Sequence, residues 1–319
     1  MTNSHLKNTF VSSTVALTLA AGSAYADNCP AGFPSQPVNF LVGYGAGGGT
    51  DLAARKVAST IEDMAGWTVV VDNKPGASGA VMATGVKDGA ADGYTVGVAT
   101  NTTMAIVPNQ RENIEFTYDD FAFVGTGMLL NYGLAALSSQ PYKTLEEFVE
   151  YARENGRATV STGSASYQVA MEAVAEAFDV NIISIPTKGS SAALKDALGG
   201  HVDATVQGTV HVAQIAAGEM VQLATLTDSR AAYAPDAMTL RESGVDLSIE
   251  GHILFFMNDD VPADIQSCIS ETFAAAVSSD DYTEFMAKQQ TSASNLGPEG
   301  TTAFLAEADA FYKSYFADK

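Results

Sequence analysis

Hydrophobic and polar positions along the chain alternate between two rhythms. From Pro37 onward, short β-branched runs at 38–42, 67–71 and 94–98 are followed by helical spacing over 51–64, 78–86 and 102–107. Such alternation predicts βαβ units and a mainly parallel sheet. Residues 121–129 predict a further strand. After Pro141 the rhythm restarts with a helix over 144–155, where Thr144 and Glu147 have the spacing of a capping box. A second series follows, with strands at 158–161, 182–185, 204–207 and 223–227 and helices at 166–178, 191–198 and 210–217. A strand at 253–257 then leads to helices at 263–278, 281–289 and 301–316. No internal repeat or low-complexity linker separates the two series, so they predict two lobes sharing one cleft. The terminal helices are expected to pack back on the first lobe.

The N-terminus follows a different pattern. Lys7 supplies a positive start, a short apolar stretch runs from Phe10 to Ala20, and Ala24-Tyr25-Ala26 has the small-x-small form of a cleavage site. The stretch is too short to span a bilayer, and no later apolar run approaches the ~20 residues that a span needs. Residues 1–26 are therefore expected to be a signal peptide, cleaved after Ala26, and the mature chain a soluble exported protein. Asn28 stands where a lipoprotein site at Cys29 would want a small residue. Of the 319 residues, 293 would remain after removal of 26, enough for two domains with their own cores.

Losing Lys7 takes the formal charge from −21 to −22. That balance argues against nucleic acid, which needs a basic surface. It reads as a solvated acidic surface and says nothing of a ligand's sign, because repulsion fades beyond a Debye length of ~8–10 Å. Cys29 and Cys268 lie at opposite ends of an exported chain. A disulfide between them is allowed by the compartment, and two separate thiols are the alternative. Neither has a histidine near in sequence for nucleophilic chemistry. His201 and His211 are ten residues apart, unlike a zinc pair, so no metal is expected.

The strongest local signal is Gly43-Tyr44-Gly45-Ala46-Gly47-Gly48-Gly49-Thr50-Asp51, between the first strand and the first helix. Gly43, Gly45 and Gly48 satisfy GxGxxG, and Asp72 stands 24 residues after Gly48, near where a dinucleotide-binding protein keeps its ribose-binding acid. An NAD-dependent enzyme is thus a competing reading. Export, the turn-rich segment Asn73 to Gly79, and the lack of an acid–base constellation all count against it. No Lys-Ser/Thr pair follows the glycines, so a P-loop is a weaker reading still. The loop instead predicts backbone N–H groups at a helix N-terminus, where close approach and the helix dipole favour an anion such as a carboxylate. A tight turn without ligand is the alternative.

Several spaced segments together resemble one family. Phe33 to Val38, AGGGTD at 46–51, VVVDNKPGASG at 69–79 and ADGYTVGVATNTT at 91–103 are similar to the solute-binding receptors of tripartite tricarboxylate transporters, the Bug-type or TctC-like receptors. So are STGSAS at 161–166, IPTKGSSAAL at 185–194 and LGGHVDA at 198–204. The likeness implies an α/β, two-lobed periplasmic binding protein fold of type II-like form, each lobe a mainly parallel sheet flanked by helices, with the ligand cleft between lobes. Lobe 1 would be 27–130 with 253–319, and lobe 2 would be 131–252. It implies a non-enzymatic, monomeric periplasmic receptor without cofactor. That receptor would capture a di- or tricarboxylate or a related organic acid and deliver it to large and small integral-membrane subunits. A receptor for another carrier class, or a sensor, are the alternatives within the resemblance.

By position, the resemblance places the first lobe's grip at Gly47, Gly48, Gly49, Thr50 and Asp51, with donors from Asn101, Thr102 and Thr103 and neighbouring Thr100. Thr162, Gly163 and Ser164 would grip from the second lobe. Thr187, Lys188, Gln207 and Thr209 would border the far end of the ligand, and Tyr44 would form a cleft wall. Asp51 reads first as a helix-start carboxylate and Asn101 equally as a cap or a ligand donor. Lys188 could pair with a second ligand carboxylate or be a solvated surface lysine. Gln207 stands at a strand's C-terminal end, where open α/β sheets bind. Departures from the family pattern fall at Tyr44-Gly45, Thr187, Ala165 and His252, and a histidine expected after the second-lobe turn is absent. They leave the anion grip intact and the ligand's identity open.

Overall fold

The structure, a computed structural model, describes residues 29–317. The segment read as a signal peptide lies outside the described residues. Two five-stranded sheets form the framework, and each is covered by helices. The first contains β1 (Val38–Val42), β2 (Val69–Asn73), β3 (Thr95–Thr100), β4 (Phe121–Leu129) and β10 (His252–Asn258). The second contains β5 (Gly133–Leu137), β6 (Ala158–Thr162), β7 (Ile182–Pro186), β8 (Ala204–Gln207) and β9 (Met220–Thr225).

The strand orders are β2-β1-β3-β10-β4 and β7-β6-β8-β5-β9. In each sheet the first two ladders are parallel and the last two antiparallel, because one strand runs against the other four. The reversed strand is the one the chain supplies on crossing between lobes: β5 follows the first lobe, and β10 returns from the second. Both sheets therefore repeat one plan. β5 was missing from the sequence-based series. Its short run GLAAL carries no β-branched residue, and its place is fixed by long-range pairing with β8 and β9.

The helices are α1 (Gly49–Ala65), α2 (Ala80–Lys87), a π-helical turn (Thr102–Ile106) running into α3 (Val107–Gln110), α4 (Leu145–Glu154), α5 (Ala165–Phe178), α6 (Ser190–Leu198), α7 (Val212–Ala216), α8 (Ala263–Val277), α9 (Asp280–Lys288) and α10 (Gly297–Ala317). In α1 the residues Ala53, Ala54, Val57, Ala58 and Ile61 recur on one buried face, and Gly66 ends the helix in the left-handed region with its N–H on the Glu62 carbonyl. At α4 the Thr144 hydroxyl accepts from the Glu147 amide, as the capping box predicts. The return bond is displaced by one residue, since the Glu147 carboxylate accepts from the Lys143 amide instead.

Ile253 to Met257 of β10 are wholly buried between β3 and β4, with Phe255 and Phe256 meeting Phe40, Phe121 and Phe273 edge-on or tilted. The terminal helices α8 and α10 pack on β4, against the first sheet as expected. Cys29 and Cys268 form a disulfide that pins the start of the described chain to α8. Among the described residues no helix is long and apolar enough to cross a membrane.

Two crossings join the lobes, at 130–132 and 226–251. They lie side by side: the Leu130 amide donates to the Gly251 carbonyl at 2.7 Å, and the Leu226 amide donates to the Tyr132 carbonyl at 2.9 Å. Paired crossings of this kind allow one lobe to rotate against the other while each core stays intact.

Candidate functional site

The C-terminal ends of the parallel strands in both sheets face the same gap. A cavity of roughly 20 Å³ lies there, lined by Tyr44, Gly48, Gly49, Thr50 and Thr100 from the first lobe, Gly163, Ser164, Tyr167, Ser190 and Gly208 from the second, and Leu130 and Tyr132 from a crossing. Its size is close to that of one water molecule. No Lys, Arg, Asp or Glu is among these twelve residues.

Three helices begin at this cavity. Gly49 opens α1, Ser190 opens α6, and Ser164 is the residue before α5; none of the three receives a hydrogen bond from its own N-cap side chain. The opening turn of a helix carries unpaired N–H groups and about half a positive elementary charge. Three such ends from opposing lobes give the cavity an anion-favouring character without a cationic side chain.

Close backbone packing builds the glycine loop before α1 and the turn before α5. A Cβ on Gly43 would lie 2.8 Å from the Gly79 Cα, and a Cβ on Gly163 would lie 2.5 Å from the Gly189 carbonyl carbon and the Ser190 nitrogen. Gly47 has φ +78°, a conformation that favours glycine, and it directs its N–H onto the Asp51 carboxylate at 2.9 Å. Asp51 also accepts from Arg55 and Asn73. Its pKa is held below the usual carboxylate range despite burial, by Arg55, the Gly47 amide and Asn73. Asp51 therefore ties the glycine loop to α1 and β2, and does not line the cavity.

The remaining residues singled out from the sequence divide as follows. Tyr44, Gly48, Gly49, Thr50, Gly163 and Ser164 line the cavity, as does Thr100 beside them. Thr102 and Thr103 are buried just behind, with the Thr102 hydroxyl on Ser166 Oγ of the second lobe at 3.0 Å. Asn101 is committed to a crossing: its amide donates to the Glu250 carbonyl and its carbonyl oxygen accepts from the His252 amide. Thr209 is buried with its Cβ close to Gly49, and its hydroxyl donates to the Gly208 carbonyl. Thr187 closes its own turn on the Gly189 carbonyl at 2.9 Å. Lys188 has an exposed side chain, while its carbonyl accepts from Gly45 across the gap. Thr162 Oγ1 and Gln207 Oε1 are buried without a hydrogen-bond partner on the adjacent strand ends of β6 and β8.

Leu130, Tyr132, Tyr167, Ser190 and Gly208 were not singled out. Ser190 had a legible signal, a hydroxyl residue opening a helix after a glycine. Tyr132 and Tyr167 meet edge-on at 5.5 Å, and the Tyr167 and Ser190 hydroxyls share a hydrogen bond at 3.1 Å. Burial raises the pKa of Tyr44, Tyr132 and Tyr167, so all three remain neutral hydrogen-bonding phenols at ordinary pH. His252, a departure from the family pattern, lies outside the cavity against Phe304, with Nδ1 3.1 Å from Ser294 Oγ.

The dinucleotide reading loses its geometry. Asp72 is exposed and paired with Lys74 at 2.7 Å, and Gly43 is used for packing against Gly79.

Comparison with known proteins covers most of the chain. The family described as "Tripartite tricarboxylate transporter family receptor" matches residues 53–313. A UPF0065 protein of Bordetella pertussis is 30% identical over 279 residues, covering 86% of this chain and 85% of that protein. The structure of the periplasmic binding protein BugD superposes with a TM-score of 0.84 at 25% identity, over 90% of this chain and 98% of BugD. MatC from Rhodopseudomonas palustris, solved with bound malate, superposes with a TM-score of 0.83 at 20% identity, over 89% of this chain and all of MatC. The matching family is one of receptors, and BugD is a periplasmic binding protein.

Proposed function

The chain belongs to the tripartite tricarboxylate transporter receptor family, and on that premise we propose that it captures a small organic carboxylate outside the inner membrane and hands it to the membrane subunits of such a transporter. The observation that carries this reading is the convergence of α1, α5 and α6 by their N-termini on one cavity without charged side chains. A carboxylate placed there would exchange water for oriented N–H and hydroxyl donors. Each hydrogen bond to a charged group contributes roughly 1.5–3 kcal/mol, so three or four would support micromolar binding after association costs.

The first lobe's grip is Gly48, Gly49 and Thr50, with Tyr44 and Thr100 as walls. The second lobe contributes Gly163, Ser164 and Ser190. Residues 27–130 with 253–319 form one moving unit and 131–252 the other, a division supported by the sheet to which each strand belongs, except that His252 opens β10 in the first sheet. The small cavity in this conformation means that a four-carbon acid enters only when the lobes part at the paired crossings. That MatC, a protein of the same fold, was solved with malate fits a dicarboxylate of this size. The protein acts as a monomer in the periplasm, and the closed form is the one that docks on the large and small membrane subunits.

Calorimetric titration of the purified mature protein with di- and tricarboxylates, aromatic acids and acidic amino acids tests the reading. Saturable micromolar binding of at least one acid is expected. No binding of any class at millimolar concentration would overturn it.

A further inference from the structure

Two consecutive residues in the loop after β2, Ala77 and Ser78, have positive φ although neither is glycine. Ser78 sits at φ 54°, ψ 39°, in the left-handed region that non-glycine residues rarely adopt. Its neighbours hold it there: the Ser78 carbonyl accepts from the Tyr44 hydroxyl at 3.1 Å and from the Thr103 hydroxyl at 2.8 Å. A glycine would fill this position without strain. A serine kept in such a conformation calls for a use of its hydroxyl.

That use is on the opposite lobe. Ser78 Oγ accepts from the Ala165 amide at 3.0 Å. Ala165 is the first residue of α5, and the Ser164 hydroxyl before it caps no backbone N–H of that helix, accepting instead from Ser166 Oγ. An opening-turn N–H of a second-lobe helix is therefore satisfied by a first-lobe side chain. We propose that Ser78 is an interlobe latch: its hydroxyl caps α5 only when the lobes are closed, and Tyr44, which lines the cavity, holds it in place. The hydrogen bond from Gly45 to Lys188 is backbone to backbone, so Ser78 is a side-chain latch that substitution can remove alone.

The latch rests on the reading of two closing lobes, but its test needs no ligand. Amide hydrogen exchange is followed in protein labelled with ¹⁵N-alanine and ¹⁵N-valine, comparing the natural chain with Ser78→Gly and Ser78→Ala. Ser78→Gly keeps the left-handed backbone without strain, so it folds with a melting temperature equal to or above that of the natural protein. The Ala165 amide is expected to be protected in the natural protein and to exchange on the order of tenfold faster in both variants, while Val169 inside α5 is unchanged. Ala165 exchanging freely in the natural protein, or at the same rate in all three, would overturn the latch. Equal acceleration at Ala165 and Val169 would also overturn it, because that marks general loosening of α5. None of these outcomes depends on whether an organic acid binds.

Discussion

The Gly45 amide donates to the Lys188 carbonyl at 2.9 Å, joining the turn before α1 to the turn before α6 across the gap between lobes. A Cβ on Gly189, the next residue, would come within 3.2 Å of the same Gly45 nitrogen. The two turns therefore meet backbone to backbone, and side-chain volume added at this seam acts directly on closure.

Gly48 lies at that seam with an extended backbone, φ −85° and ψ 171°, that any residue adopts. A Cβ there would be 3.5 Å from the Gly45 carbonyl oxygen and 4.0 Å from the Ser191 amide nitrogen of the second lobe. Alanine fits, but the branched methyls of valine reach the opposing helix end. Gly48→Val is expected to shift the melting temperature by less than about 3 °C and to weaken acid binding more than about tenfold. Calorimetry beside a thermal melt checks both. Unchanged affinity would remove this loop from the grip.

Gly163 behaves differently because its obstacle is backbone. A Cβ would stand 2.5 Å from both the Gly189 carbonyl carbon and the Ser190 nitrogen, which cannot swing aside as a side chain can. Gly163→Ala should cost about 1–3 kcal/mol of stability and displace the start of α6. Urea denaturation gives the first number, and loss of acid binding reports the second.

The disulfide between Cys29 and Cys268 spans 239 residues of sequence. Restricting so long a loop in the unfolded chain stabilises the folded one by about 2–5 kcal/mol. A Cys29→Ala, Cys268→Ala double variant should unfold at lower urea concentration than the oxidised natural protein. Its midpoint should match that of the reduced natural protein.

His211 should contribute strongly to acid sensitivity, beside His252, whose pKa burial also lowers. It is buried, its Nε2 lies 3.0 Å from Gln222 Oε1, and burial pushes its pKa down to about 4. The unfolded chain binds this proton near pH 6.5, so the unfolded state gains protons first as pH falls. Stability is full above about pH 6.5 and declines toward pH 4, by up to roughly 3 kcal/mol from this group. His211→Gln should flatten the dependence of the urea midpoint between pH 7 and 5, even if the variant is less stable throughout.

What the sequence disclosed was largely local. The glycine loop, the Thr144 cap and the amphipathic face of α1 each depend on residues within one or two turns, and each stands where spacing predicts. β5 and the antiparallel ladders depend on which distant strand arrives as a neighbour, and a five-residue run does not encode that. The same holds within the site. Tyr132 and Tyr167 reach the cavity through a crossing and a helix face that only the folded chain brings together. Asn101 shows the converse: a suitable donor in a suitable turn is already committed to Glu250 and His252. Left-handed Ser78 was illegible because serine carries no such preference, and its partner is 87 residues away.

A crystal structure of the protein soaked or co-crystallised with the tightest-binding acid tests the helix-end grip most directly. A ligand carboxylate should lie within hydrogen-bonding distance of backbone N–H groups at the starts of both α1 and α5 or α6, with no lysine or arginine touching it. An acid held by Lys188 or another cationic side chain, or bound outside the gap between the sheets, would contradict the account.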